Sequence, residues 1–203
     1  MALTLHGTVA DNTAVLDRRS AKPIIINGDM QVAQRATSVT GITSSGYQTV
    51  DRMNFTISGL GTWTQTQDTT VPTAKGFTKS LKMDCTTADA SPAASDILRI
   101  QQAIEGQNLQ HLKYGTSSAE STTLSFWVRS NKTGTYVIQL LNGAVSRQVG
   151  KTYTISSADT WEKKTITFPG DTSTALDNDN SAELIVYAFE ICLAPSFWYT
   201  CTI

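Results

Sequence analysis

Apolar and polar positions alternate most regularly between Thr122 and Asn142, in the stretch TTLSFWVRSNKTGTYVIQLLN. Leu124, Phe126 and Val128 fall on one face of a first strand and Tyr136, Ile138 and Leu140 on one face of a second, at the period of two that a half-buried strand shows. Between them, Ser130-Asn131-Lys132-Thr133-Gly134 has turn chemistry, because Asn tolerates left-handed geometry and Gly carries no Cβ. The pattern predicts a β-hairpin whose inward side chains enter one core. Trp127 and Arg129, with Gln139 on the paired strand, are then expected together on the opposite face.

The same reading predicts short strands at Ile24 to Ile26, Gln31 to Gln34, Gln48 to Ile57, Thr62 to Gln67, Phe77 to Met83 and Leu98 to Ile104. Later ones follow at Arg147 to Ile155, Trp161 to Phe168 and Ala182 to Phe189, with a helical turn at Asn108 to Lys113. The breaks between them are rich in Gly, Ser, Asp and Pro, so the expected fold is an all-β, two-sheet antiparallel sandwich of the jelly-roll kind. Residues 1–23 lack sustained periodicity and end at Lys22-Pro23, where the residue before proline is pushed to extended geometry. They read as an N-terminal arm ahead of a sandwich over 24–203. Leu3, Leu5 and Val9 give the arm something to bury, so it is either a tether onto a neighbouring subunit or a plain terminus. In Ser181 to Phe189 neither face is polar, which places this strand at the centre of the sandwich or between subunits. Phe197-Trp198-Tyr199 just beyond it favours subunit contact.

Composition reinforces the β assignment: 16% of residues are charged, while there are 31 threonines, whose branched side chains suit a pleated, solvated face. With 16 basic and 17 acidic residues the net charge is -1, so the chain has no dense positive field for nucleic acid. The N-terminus has no secretory leader pattern, and Glu183, Glu190 and Pro195 interrupt the apolar C-terminal stretch, which argues against a membrane span. Cys85, Cys192 and Cys201 form neither a disulfide framework nor a zinc pattern and read as buried thiols, with a Cys192–Cys201 bridge as the alternative.

Enzyme signatures are absent. The two histidines, His6 and His111, give a triad or a metal centre little to build on. Asp177-Asn178-Asp179-Asn180 offers oxygen ligands of the kind Ca²⁺ takes but lacks the glycine and distal glutamate of an EF-hand loop. It reads as a polar turn, and structural calcium is the one cofactor the sequence offers. Of the tryptophans Trp63, Trp127 and Trp161, the second is the candidate for chemistry. Trp127, Arg129 and Gln139 on an exposed face would make a shallow carbohydrate-binding surface, against the alternative that Trp127 packs under a loop or a second layer. Arg35, Asp51 and Arg52 lie among apolar residues, where charges are costly unless paired, and are expected to form a structural ion-pair network.

Asn27-Gly28 with Val32-Ala33-Gln34-Arg35, Tyr47 with Asp51-Arg52, Leu124 to Arg129 and Thr160-Trp161-Glu162, taken as an ordered set over about residues 24–190, resemble one family. It is the jelly-roll, carbohydrate-binding-module-like domain of structural proteins of tailed, particularly marine, bacteriophages. The resemblance implies a non-enzymatic virion component, such as a tail fibre, a tail-associated protein or a head-fibre decoration. Its partners would be other virion proteins, its own copies in a homo-oligomer, a trimer by family analogy, and host surface polysaccharide. A free carbohydrate-binding module is the alternative. Related domains continue past Phe189 with a further strand or two, so the last strand here is expected from another subunit or from a longer natural protein.

Overall fold

The computed structural model describes residues 23–190 and 200–202, with side chains over 23–188. The expectations for the arm, for Cys192 and for Phe197-Trp198-Tyr199 therefore fall outside the described residues, as does the side chain of Cys201. Among the described residues twelve strands run in chain order: β1 Ser38–Ile42, β2 Gly46–Tyr47, β3 Asn54–Ser58, β4 Thr62–Asp68, β5 Ser80–Thr87 and β6 Ile97–Glu105, then β7 Thr122–Ser130, β8 Gly134–Asn142, β9 Arg147–Ile155, β10 Glu162–Phe168, β11 Ala182–Glu190 and β12 Thr200–Thr202. Two short 3-10 turns, Gly106–Asn108 and Gln110–Leu112, follow β6.

The strands build two six-stranded sheets, β1-β4-β5-β12-β7-β10 and β2-β3-β6-β11-β8-β9, with every pairing antiparallel. The chain is an all-β, two-sheet antiparallel sandwich. In β6 alternation is complete: Leu98, Ile100, Gln102 and Ile104 are buried while Ile97, Arg99, Gln101, Ala103 and Glu105 are half-buried on the other side.

The expected hairpin is corrected. β7 pairs with β10 and β12, whereas β8 pairs with β11 and β9, so the Asn131–Thr133 link is an arch from one sheet to the other. Both inward faces still reach the interior, since alternation fixes which face a residue occupies and not which strand lies beside it. The buried Ser130 marks the crossing: Tyr136 Oη lies 3.3 Å from its hydroxyl and donates to the Lys132 carbonyl at 3.0 Å. The expected strands at Ile24 to Ile26 and Gln31 to Gln34 are loop, and the edge strand is β1 instead. Arg52, at φ 71, breaks the expected Gln48 to Ile57 strand so that β3 starts at Asn54.

The interior divides into two apolar clusters. One gathers Val128, Tyr136, Ile138, Tyr153, Ile155, Phe168, Leu184 and Val186, the other Val50, Phe55, Ile57, Trp63, Leu81, Met83, Leu98 and Ile100, and Ile25 packs against both. At the edge of the first cluster Glu162 joins β10 to the β9–β10 turn. Its carboxylate accepts the Ser156 and Ser157 N–H groups, each at 2.8 Å, and the Lys164 ammonium at 2.6 Å. Lys164 first, and then the Ser157 N–H, hold this carboxyl below the ordinary glutamate value of 4.5. A depressed folded-state pKa means that the unfolded chain binds more protons near that value, so the stabilisation is present above about pH 4.5 and is lost as pH falls further. Thermal melts from pH 6 downward are expected to show Tm falling through this window, with a shallower fall in Glu162→Gln; identical pH profiles would remove Glu162 from the explanation.

Candidate functional site

The outward face of the β2-β3-β6-β11-β8-β9 sheet carries a transverse row of side chains. Register places Asn54 opposite Gln101, Gln101 opposite Tyr187, Tyr187 opposite Gln139, and Gln139 opposite Gly150. Directly opposed residues of antiparallel strands share a face, so this row runs amide, amide, phenol ring, amide, bare backbone. The adjoining row holds Ala103, Ile185, Leu141 and Gln148 by the same pairing. Strand β11 is therefore apolar on both sides for two separate reasons. Leu184 and Val186 enter the core, while Ile185 and Tyr187 form an apolar stripe on the outward face.

Arg99 lies across this stripe, its guanidinium carbon 4.0 Å from the centre of the Tyr187 ring. Stacking of this kind uses the flat face of the guanidinium and leaves its edge donors free to point elsewhere. The Arg99 Nε and the Gln101 Oε1 are buried with no hydrogen-bond partner among the described residues. Buried polar atoms are ordinarily paired, so a donor and an acceptor unpaired on neighbouring side chains mark this patch apart from the rest of the sheet. Gly150 leaves room beside it, for a Cβ there would meet Gln139 and Val137 only at 3.7 Å.

The structure does not assemble Trp127, Arg129 and Gln139. Trp127 and Arg129 lie on the outward side of β7, and Gln139 faces out from the other sheet, because the arch after Ser130 carries β8 across the sandwich. Arg129 is occupied by Asp159, donating from Nε to the carbonyl at 2.8 Å and from a terminal nitrogen to the carboxylate at 3.1 Å. Trp127 is half-buried beneath the β4–β5 connection, with the Lys75 ammonium 5.6 Å above its ring. Trp63 is a core residue, and the Trp161 Nε1 is buried without a partner among the described residues. Of the three expected residues, Gln139 belongs to the row, and its ring neighbour is Tyr187.

Arg35 and Asp51 form an ion pair at 3.2 Å, and Arg35 also lies 5.3 Å over the Tyr47 ring. Arg52 does not join them: it pairs with Glu105 at 3.1 Å. The Glu105 backbone first, and then Arg52, keep that carboxyl below the ordinary value of 4.5. Asn27 ties this corner together, donating from its amide to the Val32 and Asp51 carbonyls at 2.9 and 3.0 Å. These contacts brace the loop before β3. In the Asp177 to Asn180 turn the Asp179 carboxylate accepts the Ser181 hydroxyl and its N–H, which lowers its pKa from 3.8. Among the described residues no group of three or more His, Cys, Asp or Glu is disposed to hold a metal ion.

Sequence reading missed Asn54, Arg99, Gln101 and Tyr187. The signal it had was the absence of a polar face in Ser181 to Phe189, which marks an outward apolar stripe as well as a central strand.

No family model matches the sequence, and no curated protein matches it. Among solved structures the chain is similar to the enzymatically active domain of tailspike protein 4 from bacteriophage CBA120, at 14% identity and TM-score 0.48, over 88% of this chain and 20% of that one. It is also similar to a CBM4 structure, at 13% identity and TM-score 0.47, over 88% of this chain and 94% of that one. A carbohydrate-binding module specific for non-crystalline cellulose, CBM28, is similar at 13% identity and TM-score 0.40, over 89% of this chain and 91% of that one.

Proposed function

We propose that the chain is a non-enzymatic polysaccharide-binding domain carried on a tailed-bacteriophage particle. The observation that carries the binding half is the row Asn54, Gln101, Tyr187, Gln139 with Arg99 stacked on its ring. The Tyr187 ring, 6% exposed, seats Arg99 and the amides beside it, and these donate and accept toward the girdle of hydroxyls that a sugar presents. The side chains of these two rows are neutral, and Arg99, stacked on the Tyr187 ring, has a planar fork that fits a carboxylate. The substrate class is thus an acidic polysaccharide of the host surface. The virion half rests on the ordered motifs from Asn27-Gly28 to Trp161-Glu162. A free carbohydrate-binding module uses the same row and differs in being absent from the particle.

Affinity electrophoresis through alginate, an acidic polymer, and dextran, a neutral one, tests the site. The wild-type chain should be retarded by alginate more than by dextran. Tyr187→Ala and Arg99→Ala should each weaken alginate retention by roughly tenfold or more, about 1.4 kcal/mol. Trp127→Ala, on the other sheet, should leave it unchanged. Retention lost in Trp127→Ala and kept in Tyr187→Ala would overturn the assignment. Mass spectrometry of purified particles separates the two settings, since a virion component is present there at fixed copy number.

A further inference from the structure

The transverse row on the outward face does not end at Asn54. Strand β2 adds one more position, with Tyr47 directly opposite Asn54, so the row runs Tyr47, Asn54, Gln101, Tyr187 and Gln139 from β2 to β8. Tyr47 is 46% exposed, where Tyr187 is 6% exposed. A depression of about 340 Å³ opens beside Tyr47, lined by Gln34, Arg35, Tyr47, Asp51 and Arg52. Arg35 lies 5.3 Å over the Tyr47 ring, much as Arg99 lies 4.0 Å over the Tyr187 ring, so one sheet face carries the same arginine-on-tyrosine unit twice. Both arginines of the depression are steadied through one terminal nitrogen each, Arg35 Nη1 on Asp51 at 3.2 Å and Arg52 Nη2 on Glu105 at 3.1 Å. A guanidinium carries five N–H donors, so these pairs hold the two forks in place without using all their donors. The Asp51 Oδ1 that faces Arg35 also accepts the Gln34 N–H at 3.3 Å.

We infer that the Tyr47 corner is a second carboxylate subsite of the same surface, and that the ligand is an acidic glycan bearing carboxylates three residues apart along its chain. This rests on the polysaccharide reading of the row. Tyr47 and Tyr187 are separated by β3 and β6, which is three strand spacings or about 14 Å. One spacing is close to the advance of one pyranose along an extended chain, so a glycan lying along the row sets one sugar on each strand. A sugar on β11 brings its carboxylate to Arg99, and the next two meet only neutral amides, at Gln101 and Asn54. The fourth sugar reaches β2. There the exposed Tyr47 ring takes its apolar face, and the Arg35 fork, with Arg52 beside it, takes its carboxylate. Negative charge is thus read at the first and fourth sugars, while hydroxyls suffice between them.

Calorimetric titration of the full chain with mannuronate oligomers prepared from alginate, two, three and four residues long, tests the spacing. Dimer and trimer engage the Arg99 subsite alone and should bind with similar affinity, whereas the tetramer spans both subsites and should bind roughly tenfold tighter or more. Tyr47→Ala and Arg35→Ala should each remove that step while leaving trimer binding unchanged, and Tyr47→Phe, which keeps the ring, should retain it. Arg99→Ala should weaken all three lengths. Melting curves of the variants confirm that each is folded, and Tyr47→Ala carries the test if Arg35→Ala loosens the loop before β3. Trimer and tetramer bound equally by the wild type, or a step that survives Tyr47→Ala, would overturn the second subsite; binding that still depends on Arg99 would in that case leave the polysaccharide row standing. No binding at any length would overturn the row and this inference together.

Discussion

Ile138→Asp is expected to prevent folding, while the substitution one residue further on, Gln139→Asp, is expected to leave a folded protein that binds acidic polysaccharide less well. Ile138 is 1% exposed at the centre of β8, between Ala188 of β11 and Lys151 of β9. Removing its side chain from the core costs about 1.5–3 kcal/mol of apolar burial, and a carboxyl left there without partners costs about 1–3 more. The total, about 2.5–6 kcal/mol and more while the carboxyl stays charged, is comparable with the lower end of a typical stability of about 5–15 kcal/mol. Gln139 projects from the same strand to the outward face and is half-buried there. An aspartate in its place keeps the strand and sets a negative charge in the row, where it repels a sugar carboxylate. Soluble yield and urea unfolding check the first variant, and alginate retention checks the second. A soluble Ile138→Asp protein with an unchanged midpoint would reverse the inward and outward faces of β8, and the polysaccharide row would fall with them.

That pair also shows how far the sequence could be read. Alternation over Thr122 to Asn142 is enough to assign Ile138 inward and Gln139 outward, and the same period gives the extent of β4, β6, β9 and β10 within a residue or two. It cannot say which strands are neighbours. A short polar link with Asn and Gly serves a hairpin and an arch between sheets about 10 Å apart equally well, so Gln139 was expected beside Trp127 when it belongs beside Tyr187. The row has the same difficulty in stronger form. Asn54, Gln101, Gln139, Gly150 and Tyr187 come from separate strands scattered along the chain, and the strand order β3-β6-β11-β8-β9 brings them into line. No local pattern encodes that order. The ion pair of Arg35 with Asp51 was legible because both charges sit in apolar surroundings; the transfer of Arg52 to Glu105 was not, because its left-handed backbone turns the side chain toward β6.

Gly61→Ala is expected to be severely destabilising and Gly41→Ala only mildly so, although both glycines have the same kind of backbone. Their φ values are +74° and +70°, in the left-handed region where a Cβ costs about 1–2 kcal/mol. If conformational freedom were the whole reason for glycine, the two variants would melt alike. They differ in surroundings: a Cβ at Gly41 meets nothing within 4 Å, whereas at Gly61 it would lie 2.1 Å from the Thr87 carbonyl oxygen and 3.1 Å from the Asp89 nitrogen. Those are backbone atoms that no rotamer change can move. Gly61 also adjoins the register shift between Thr62 and Trp63 where β4 meets β5, and Trp63 donates from its indole nitrogen to the Leu60 carbonyl at 2.6 Å. Relieving the clash must therefore shift the segment that seats Trp63, which is 3% exposed, in the second apolar cluster. The expected loss is about 3 kcal/mol or more for Gly61→Ala, roughly 10 °C in Tm, against about 1 kcal/mol and 2–4 °C for Gly41→Ala. Melting curves of both variants beside the wild type decide it. A Gly61→Ala chain that melts with Gly41→Ala would mean that β4 and β5 separate freely at that end, and that Trp63 is not anchored by the turn before it.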